Sequence, residues 1–348
     1  MAGGDQDVRG IRASSVKAWL AEYIEGVEPP FRFELIVGGH SNLTYCVTDA
    51  KGTRVVLRRP PLGAVLATAH DMAREQKIIS GVGKTTVPVP RALGLCEDES
   101  INDAPFYVMN FVEGHVLDTV DQTRKILPEV ELRGALGASV IETLAALHQV
   151  DPDAVGLGDL GRKEAYLERQ LKRWRMQWEK SKTRELPAME QTHELLVAAK
   201  PEQKFTGIVH GDYRLGNILS GADGRVNAVL DWELCTLGDT LADVGYVMNN
   251  WAQPDDPHTA ESAVSPTAIE GFPTRAAFIE AYSKRTGHDV GNVDYYRSFQ
   301  YWRLAAIVEG VLARYLKGVM GNEADTAQFK VRIDHLAESA LRLARSLG

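Results

Sequence analysis

Apolar and polar residues alternate over short runs in the first third of the chain and then follow a longer period through most of the remainder. Alternation predicts half-buried strands, and apolar residues spaced three to four apart predict amphipathic helices. Alternation at residues 31–37 predicts a strand, and short apolar runs predict further strands at residues 43–48, 53–58, 92–96 and 105–112. The longer period predicts helices near residues 16–24, 69–79, 132–147, 165–180, 190–200, 274–286, 295–316 and 325–347. In the first helix, Ser14 and Ser15 are expected to act as the N-terminal cap.

Residues 208–244 interrupt the helical pattern with short apolar runs and a polar loop. Ile208 and Val209 end one strand, and Gly211 lets the chain turn without a clash from a Cβ atom. Residues 218–219 and 226–230 read as two further strands. Between them, residues 221–224 carry the Asp-Gly signal of a tight turn. This stretch therefore predicts a strand, a polar loop and a β-hairpin.

The side chains of this stretch suit phosphoryl transfer. Asp212 precedes Asn217 by five positions, and Asp231 follows at the end of the hairpin. Phosphoryl transfer needs a carboxylate that holds the acceptor hydroxyl, and an amide and a carboxylate that hold Mg²⁺. Asp212 is therefore the candidate catalytic residue, and Asn217 and Asp231 are the candidate metal ligands. Each residue alone also suits a cap or a turn, but the joint pattern between apolar strands favours the catalytic interpretation.

The order His210-Gly211-Asp212, Asn217, Asp231-Trp232 resembles the aminoglycoside phosphotransferase-like branch of the protein-kinase-like superfamily. The runs LRRPP, VPVPRALGLCEDES and FYVMNFVEG most resemble kinase domains found beside acyl-CoA dehydrogenases. The resemblance implies an α+β, two-lobed protein-kinase-like fold with a small β-rich N-terminal lobe and a larger, mainly helical C-terminal lobe. We expect the nucleotide-binding lobe and hinge in residues 1–113, and the catalytic and substrate-binding lobe in residues 114–348.

The resemblance also implies a nucleotide site. A glycine-bearing turn, Gly39, His40, Ser41 and Asn42, would face phosphate oxygens. Arg58 would be the phosphate-binding cation, with Glu75 as its ion-pair partner. A hinge of Met109, Asn110 and Val112 would lie against the adenine base. Arg58 stands where protein kinases carry Lys, and the hinge would act through the carbonyl of Asn110 and the N–H of Val112. Three alternatives stay open here: an ordinary hairpin, an exposed helix charge at Glu75 and a core strand.

Four other residues near these motifs have less specific expectations. Asp243 either braces the catalytic-loop backbone, as the resemblance implies, or is a first-turn charge favoured by the helix dipole. Asp239 is expected to cap the helix that starts near Thr240. His148 is expected to be a helix-terminal residue, and Cys235 a small apolar filler.

Composition narrows the classes of function. The chain of 348 residues is long enough for two lobes around separate cores. Its 39 Lys and Arg against 47 Asp and Glu give a net charge of −8, which argues against a nucleic-acid partner. The three cysteines lie far apart and suggest neither disulfides nor a zinc site. With no signal sequence and no apolar run of about 20 residues, we expect a cytoplasmic protein without a membrane partner.

The segment between Asp231 and the helix near Thr240 is too short for a regulated loop and a peptide platform. We therefore expect an enzyme that uses ATP and Mg²⁺ to phosphorylate an alcohol group of a small molecule. The acceptor would be a hydroxyacyl-type metabolite or an aminoglycoside-like compound, for which Glu233, Asp239 and Asp255-Asp256 could supply negative charge. The alternatives are a nucleotide-binding module without turnover and a choline- or homoserine-type kinase. The sequence carries no signal for an oligomeric state.

Overall fold

The computed structural model describes residues 8–36, 42–63, 70–256, 265–318 and 325–347. Its N-terminal part forms a five-stranded antiparallel sheet in the order β1-β2-β3-β5-β4. The strands are β1 (Arg32–Leu35), β2 (Leu43–Thr48), β3 (Arg54–Arg59), β4 (Ala92–Cys96) and β5 (Phe106–Asn110). Each strand coincides with a predicted strand, although β1 and β5 are shorter than predicted and β3 is shifted by one residue.

The two faces of this sheet pack against different partners because alternate strand residues point to opposite sides. On β3, Val55 and Leu57 join an apolar cluster with α1 (Ala13–Tyr23), whereas Val56 between them faces α2 (Met72–Val82) and the helical part. The predicted serine cap of α1 is wrong. The helix begins at Ala13, and the Ser15 hydroxyl instead donates to the carbonyl of Ile101 at 2.6 Å.

The C-terminal part is mainly helical. Its helix at residues 120–126 has no predicted counterpart, and its other helices lie within a few residues of the predicted positions. The helices after α2 are α3 (Glu99–Asn102), α4 (Val120–Ile126), α5 (Val130–His148), α6 (Tyr166–Ser181), α7 (Pro187–Ala198), α8 (Leu241–Asn250), α9 (Arg275–Thr286), α10 (Val293–Leu316) and α11 (Thr326–Arg345). The short α3 lies in the N-terminal part between β4 and β5, and the Asp98 side chain caps it by accepting from the N–H of Ser100 at 2.9 Å.

Short strands between β5 and α8 surround the polar loop. They are β6 (His115–Val116), β7 (Gly207–Val209), β8 (Ile218–Ser220), β9 (Val226–Val229) and β10 (Thr236–Gly238). Strands β6, β8 and β9 form one antiparallel sheet, and β7 pairs with β10. The predicted hairpin is thus β8–β9, and its turn contains Gly224 with a φ of 74°.

Two apolar clusters lie among the described residues. One apolar cluster is confined to α1 and the outer face of the N-terminal sheet. The other cluster includes Val56, Met72 and Met109 from the N-terminal part, and continues through α5 and α8 to α10 and α11. The inner face of the sheet is apolar, and this surface can only be buried against the helical part. None of the helices in the described ranges is long and apolar enough to cross a membrane.

Candidate active site

The polar loop after β7 (residues 210–217) is called the catalytic loop below because it contains the candidate catalytic residue Asp212. Its backbone is held in place by helix α8. Its Gly211 has a φ of 86°, and a Cβ atom there would lie 2.8 Å from the carbonyl oxygen of Leu234. The buried Asp243 carboxylate accepts from the backbone N–H groups of His210 at 2.6 Å and Gly211 at 2.8 Å. Burial acts to raise the pKa of Asp243, but hydrogen bonds from His148 and Gly211 and the nearby histidines lower it below its usual value. Asp243 therefore braces the loop rather than serving as a surface charge.

His148 extends this brace to a second layer. It ends α5, as expected, but its ring is buried. Its Nε2 lies 3.3 Å from the Asp243 carboxylate, and its Nδ1 lies 2.7 Å from the hydroxyl of Tyr282. The expectation of a simple helix-terminal residue misses these contacts, which join α5, α8 and α9 behind the catalytic loop.

Asp212 is held through both carboxylate oxygens. Its Oδ2 accepts from the Asn217 side-chain amide at 2.6 Å, and the same amide donates to the Asp212 carbonyl at 2.9 Å. Its Oδ1 accepts from the Tyr246 hydroxyl and lies 3.4 Å from Nε of Arg214. The side chain remains 19% exposed, so an incoming molecule can still reach it.

The hairpin β8–β9 brings the two candidate metal ligands to the same end. The N–H of Leu230 donates to the carbonyl of Asn217 at 2.8 Å, so Asp231 follows directly beside Asn217. Asp231 has a φ of 63° and a ψ of 67°, the left-handed region that non-glycine residues rarely adopt. Such backbone conformations cluster at functional sites.

The donor set at this end fits a hard cation. The amide nitrogen of Asn217 is engaged by Asp212, which leaves its oxygen as the atom for a cation. Asp231 gives one oxygen to Arg58, and its side chain is 29% exposed. Within the part of the chain that the structure describes, no three His, Cys, Asp or Glu side chains form a group that could hold a metal. A Mg²⁺ ion at Asn217 and Asp231 would therefore rely on phosphate and water oxygens as well.

Arg58 connects the N-terminal sheet to this hairpin. Its guanidinium forms two bonds to Glu75 of α2, at 3.0 and 3.1 Å, and one to Asp231 at 2.6 Å. Burial acts to lower the pKa of Arg58, but the neighbouring Glu75 carboxylate and other anionic groups raise it above its usual value. The Glu75 side chain is only 3% exposed, so the alternative of an exposed helix charge does not describe it.

Not every expected nucleotide-binding residue can be placed. Gly39, His40 and Ser41 lie outside the described residues, whereas the neighbouring Asn42 is buried. The Asn42 amide nitrogen donates to Glu233 at 3.5 Å, and its buried amide oxygen has no partner among the described residues. The end of the predicted phosphate turn thus lies beside the segment that follows Asp231.

The expected hinge lies at the end of β5. Met109 is buried and opposite Val56 of β3, so its side chain belongs to the inner face of the sheet. The Asn110 side chain is engaged locally: its oxygen accepts from the N–H of Arg91, and its nitrogen donates to the carbonyl of Phe111 at 3.2 Å. Val112 is partly buried just beyond the strand. Contacts of Asn110 and Val112 with an adenine base stay a prediction.

Three residues that help to hold this site together are absent from the residues predicted from the sequence. Tyr246 donates to Asp212, and its spacing of three from Asp243 could have placed both on one face of α8. Arg74 and Arg303 donate to backbone carbonyls, of Cys235 at 2.6 Å and of Gly211 at 3.4 Å. Nothing in a sequence signals a bond to a distant backbone carbonyl.

One of two lesser expectations near α8 agrees with the structure. The cap position of α8 is Thr240 rather than Asp239, although the Asp239 side chain accepts from the N–H of Leu241, the first residue of the helix, at 3.1 Å. It also accepts from the hydroxyl of Tyr296 at 2.6 Å, which links it to α10. Cys235 is buried with a free thiol whose pKa is raised by burial, as expected for an apolar filler.

The chain is similar in sequence to known proteins. A family model described as "Phosphotransferase enzyme family" matches residues 32–278. The chain is 34% identical over 315 residues to acyl-CoA dehydrogenase family member 10 of Mus musculus, covering 89% of this chain and 29% of that protein. It is 32% identical over 344 residues to acyl-CoA dehydrogenase family member 11 of Rattus norvegicus, covering 95% of this chain and 43% of that protein. The chain thus spans less than half the length of these two relatives.

Solved structures show the same fold. A candidate aminoglycoside phosphotransferase from Ralstonia eutropha is 32% identical with a TM-score of 0.80, covering 95% of this chain and 98% of its own. Aminoglycoside phosphotransferase APH(4)-Ia with AMP-PNP and hygromycin B has a TM-score of 0.59 at 19% identity, covering 94% and 99%. Amicoumacin kinase with AMP-PNP has a TM-score of 0.60 at 15% identity, covering 94% and 93%. The predicted two-lobed kinase-like fold is therefore confirmed, and the chain belongs to the phosphotransferase enzyme family.

Proposed function

We propose that the protein is an ATP-dependent phosphotransferase that moves the γ-phosphate of MgATP to a hydroxyl of a small molecule. The proposal depends on one observation, the meeting of the site's charged and polar side chains at the hairpin β8–β9. Arg58 of the N-terminal sheet bonds Glu75 and Asp231. Asp212 and Asn217 bond each other beside the same hairpin. In this proposal residues 1–113 bind the nucleotide and residues 114–348 hold the catalytic loop and the acceptor.

The side chains have distinct roles in the proposed reaction. Asp212 aligns the acceptor hydroxyl for in-line attack and takes its proton, as the new oxygen–phosphorus bond forms and the bond to ADP breaks. Asn217 and Asp231 would hold Mg²⁺, which when bound neutralises phosphate charge. Arg58 presents its guanidinium to the phosphates from the side of β3, while Glu75 holds it in place.

A basic groove between α6 and α10 favours an anionic acceptor. The groove has a volume of about 390 Å³ and, among the described residues, is lined by Trp174 and four cations but no carboxylate; the cations are Arg173, Lys180, Arg314 and Lys317. The guanidinium of Arg303 lies 5.4 Å from the Trp174 ring and bonds the carbonyl of Gly211. Arg303 therefore contacts both a residue that lines the groove and the backbone of the catalytic loop.

The charge of this groove distinguishes the acceptor candidates. A cationic aminoglycoside or choline would be repelled there, whereas a carboxylate or phosphate would be attracted. The similarity to acyl-CoA dehydrogenase family members supports the same choice. We therefore propose a hydroxyacyl-type metabolite as the acceptor, with the aminoglycoside-like and choline-type acceptors as the less supported alternatives.

A transfer assay tests this function. Purified protein with MgATP is offered 3-hydroxybutyryl-CoA, 3-hydroxybutyrate, hygromycin B, choline and glucose, and phosphate transfer is followed by mass spectrometry. We expect transfer to the hydroxyacyl compounds, and we expect Asp212→Ala and Asp231→Ala to abolish it while the far-UV circular dichroism stays unchanged. Asp121→Ala, which removes a carboxylate with a 95% exposed side chain on α4, is the matched control. Undiminished turnover in either active-site variant would refute the proposed roles.

Nucleotide binding is measured in parallel. MgATP should raise the melting temperature of the wild-type protein, because a ligand that binds only the folded state stabilises it. Stabilisation by MgATP without transfer to any acceptor, or to water, would favour the alternative of a nucleotide-binding module.

A further inference from the structure

One face of α8 holds three consecutive residues of the catalytic loop. Asp243 and Tyr246 are three positions apart, so their side chains leave the helix on the same side. Asp243 accepts from the backbone of His210 and Gly211, and Tyr246 donates to the side chain of the next residue, Asp212. The backbone brace and the contact to the carboxylate therefore belong to one rigid element.

The Tyr246 bond helps to fix the rotation of the Asp212 carboxylate. The torsion of an aspartate carboxylate about its last bond is broad and shallow, so hydrogen bonds decide its orientation. On Oδ2 of Asp212 the Asn217 amide supplies one bond at 2.6 Å. On Oδ1 the other donor is Arg214, whose Nε is 3.4 Å away and whose side chain is 38% exposed. The Tyr246 hydroxyl is thus the better-placed donor on Oδ1.

Tyr246 is also suited to remain a donor. Burial raises the pKa of Tyr246 well above its usual value, and the charge of Asp212 raises it further. The phenol therefore keeps its proton throughout the neutral pH range. Because a hydroxyl that donates one bond still has oxygen lone pairs, Tyr246 can in addition accept a bond from a molecule beside Asp212.

We propose that Tyr246 is a positioning residue whose hydroxyl sets the orientation in which Asp212 meets the acceptor hydroxyl. The inference rests on the proposed function, because the orientation of Asp212 matters for turnover only if Asp212 receives the acceptor. No bond to Tyr246 forms or breaks in the reaction. The acceptor proton passes to Asp212, and the phenol proton stays on Tyr246.

Tyr246→Phe tests this role because it removes the hydroxyl and keeps the ring. Tyr295→Phe is the matched control: its buried hydroxyl donates to the carbonyl of Leu196 at 2.9 Å, and neither residue belongs to the catalytic loop. Turnover of MgATP is measured with 3-hydroxybutyryl-CoA and with water as the acceptor. We expect Tyr246→Phe to lower kcat by about tenfold to a hundredfold with little change in KM for MgATP. The control should leave kcat close to that of the wild type.

A double variant shows whether the two residues act together. Because Tyr246 is proposed to act only through Asp212, adding Tyr246→Phe to Asp212→Asn should cause no further loss of kcat. All rates are compared below the unfolding transitions of the variants, so that a lower melting temperature does not contribute. Additive losses in the double variant would indicate an independent role and overturn the proposal.

The outcomes separate this inference from the proposed function. If the wild type turns over MgATP and Tyr246→Phe does so at the same kcat, the positioning role is wrong and the function stands. An equal loss in Tyr246→Phe and Tyr295→Phe would likewise show only a structural role. If the wild type turns over no MgATP with any acceptor, including water, both proposals fall.

Discussion

Asp243 stays charged in a fully buried position because four groups compensate it: two backbone N–H groups, the His148 ring and the nearby His210 ring. Replacement of a buried carboxylate by an amide keeps the shape but turns one acceptor into a donor. That donor would face a backbone N–H of the catalytic loop. At the scale of one residue, the stability of the loop therefore depends on a single negative charge.

We expect Asp243→Asn to lower the free energy of unfolding at neutral pH by about 2–4 kcal/mol, since it leaves a buried donor unsatisfied. The folded-state pKa of Asp243 lies below the unfolded value of about 4, so its stabilisation is present above that pH and is lost as the pH falls through the folded pKa. Urea unfolding between pH 3 and 7 measures both effects. The wild type should lose more stability than Asp243→Asn on acidification, and equal losses would contradict the assignment.

Helices α8 and α10 approach each other so closely that the contact admits only glycine. A Cβ atom on Gly245 would lie 2.6 Å from the backbone and Cβ of Tyr296. Helix α8 also carries Asp243 and Tyr246, which bond the catalytic loop. The distance between α8 and α10 therefore affects the position of that loop. At the scale of elements, the α8–α10 contact and the active site are one arrangement.

Gly245→Ala should destabilise the protein by about 1–3 kcal/mol and reduce turnover, because overpacking forces α8 away from α10. In an unconstrained helix the same change stabilises by up to about 1 kcal/mol. Gly310→Ala on α10 is the matched control, since its Cβ would meet the end of the flexible Gln177 side chain at 3.2 Å. Thermal unfolding of both variants checks the expectation, and a stabilised Gly245→Ala would refute it.

Elements were more predictable from sequence than the bonds between them. The strands predicted at residues 43–48 and 92–96 have the observed bounds of β2 and β4, because turn-forming residues flank these short apolar runs. The cap of α1 was misplaced, since Ser15 bonds Ile101, a residue far away in sequence. For the same reason Tyr246 and Arg74 escaped notice while Asp212, Asn217 and Asp231 did not. The spacing of a motif indicates the candidate catalytic and metal-binding side chains. The residues that hold those side chains in place can be identified only from the tertiary structure.

At the scale of the whole molecule, one apolar cluster joins the N-terminal sheet to the helical part. It runs from Val56 and Met109 to α10 and α11, and the ion pair of Arg58 with Asp231 lies across the same junction. Neither part can expose this surface without losing a large fraction of its buried apolar area. The two parts should therefore unfold together.

Differential scanning calorimetry should show a single transition, and saturating MgATP should move all of it to higher temperature. At a hundred times the dissociation constant, the expected stabilisation is about 2.7 kcal/mol. Two resolved transitions, of which MgATP moves only one, would show that the shared cluster does not couple the parts.

The connection from Asp231 to α8 is short, and most of its residues belong to regular structure. It makes one 3-10 turn at Trp232–Leu234 and then pairs, as β10, with the strand that leads into the catalytic loop. Because three of its residues pair with β7, this segment is held in place by the strand that leads into the catalytic loop. For the proposed phosphotransferase we therefore expect a rate that follows the supply of its two substrates, without activation by phosphorylation of this segment.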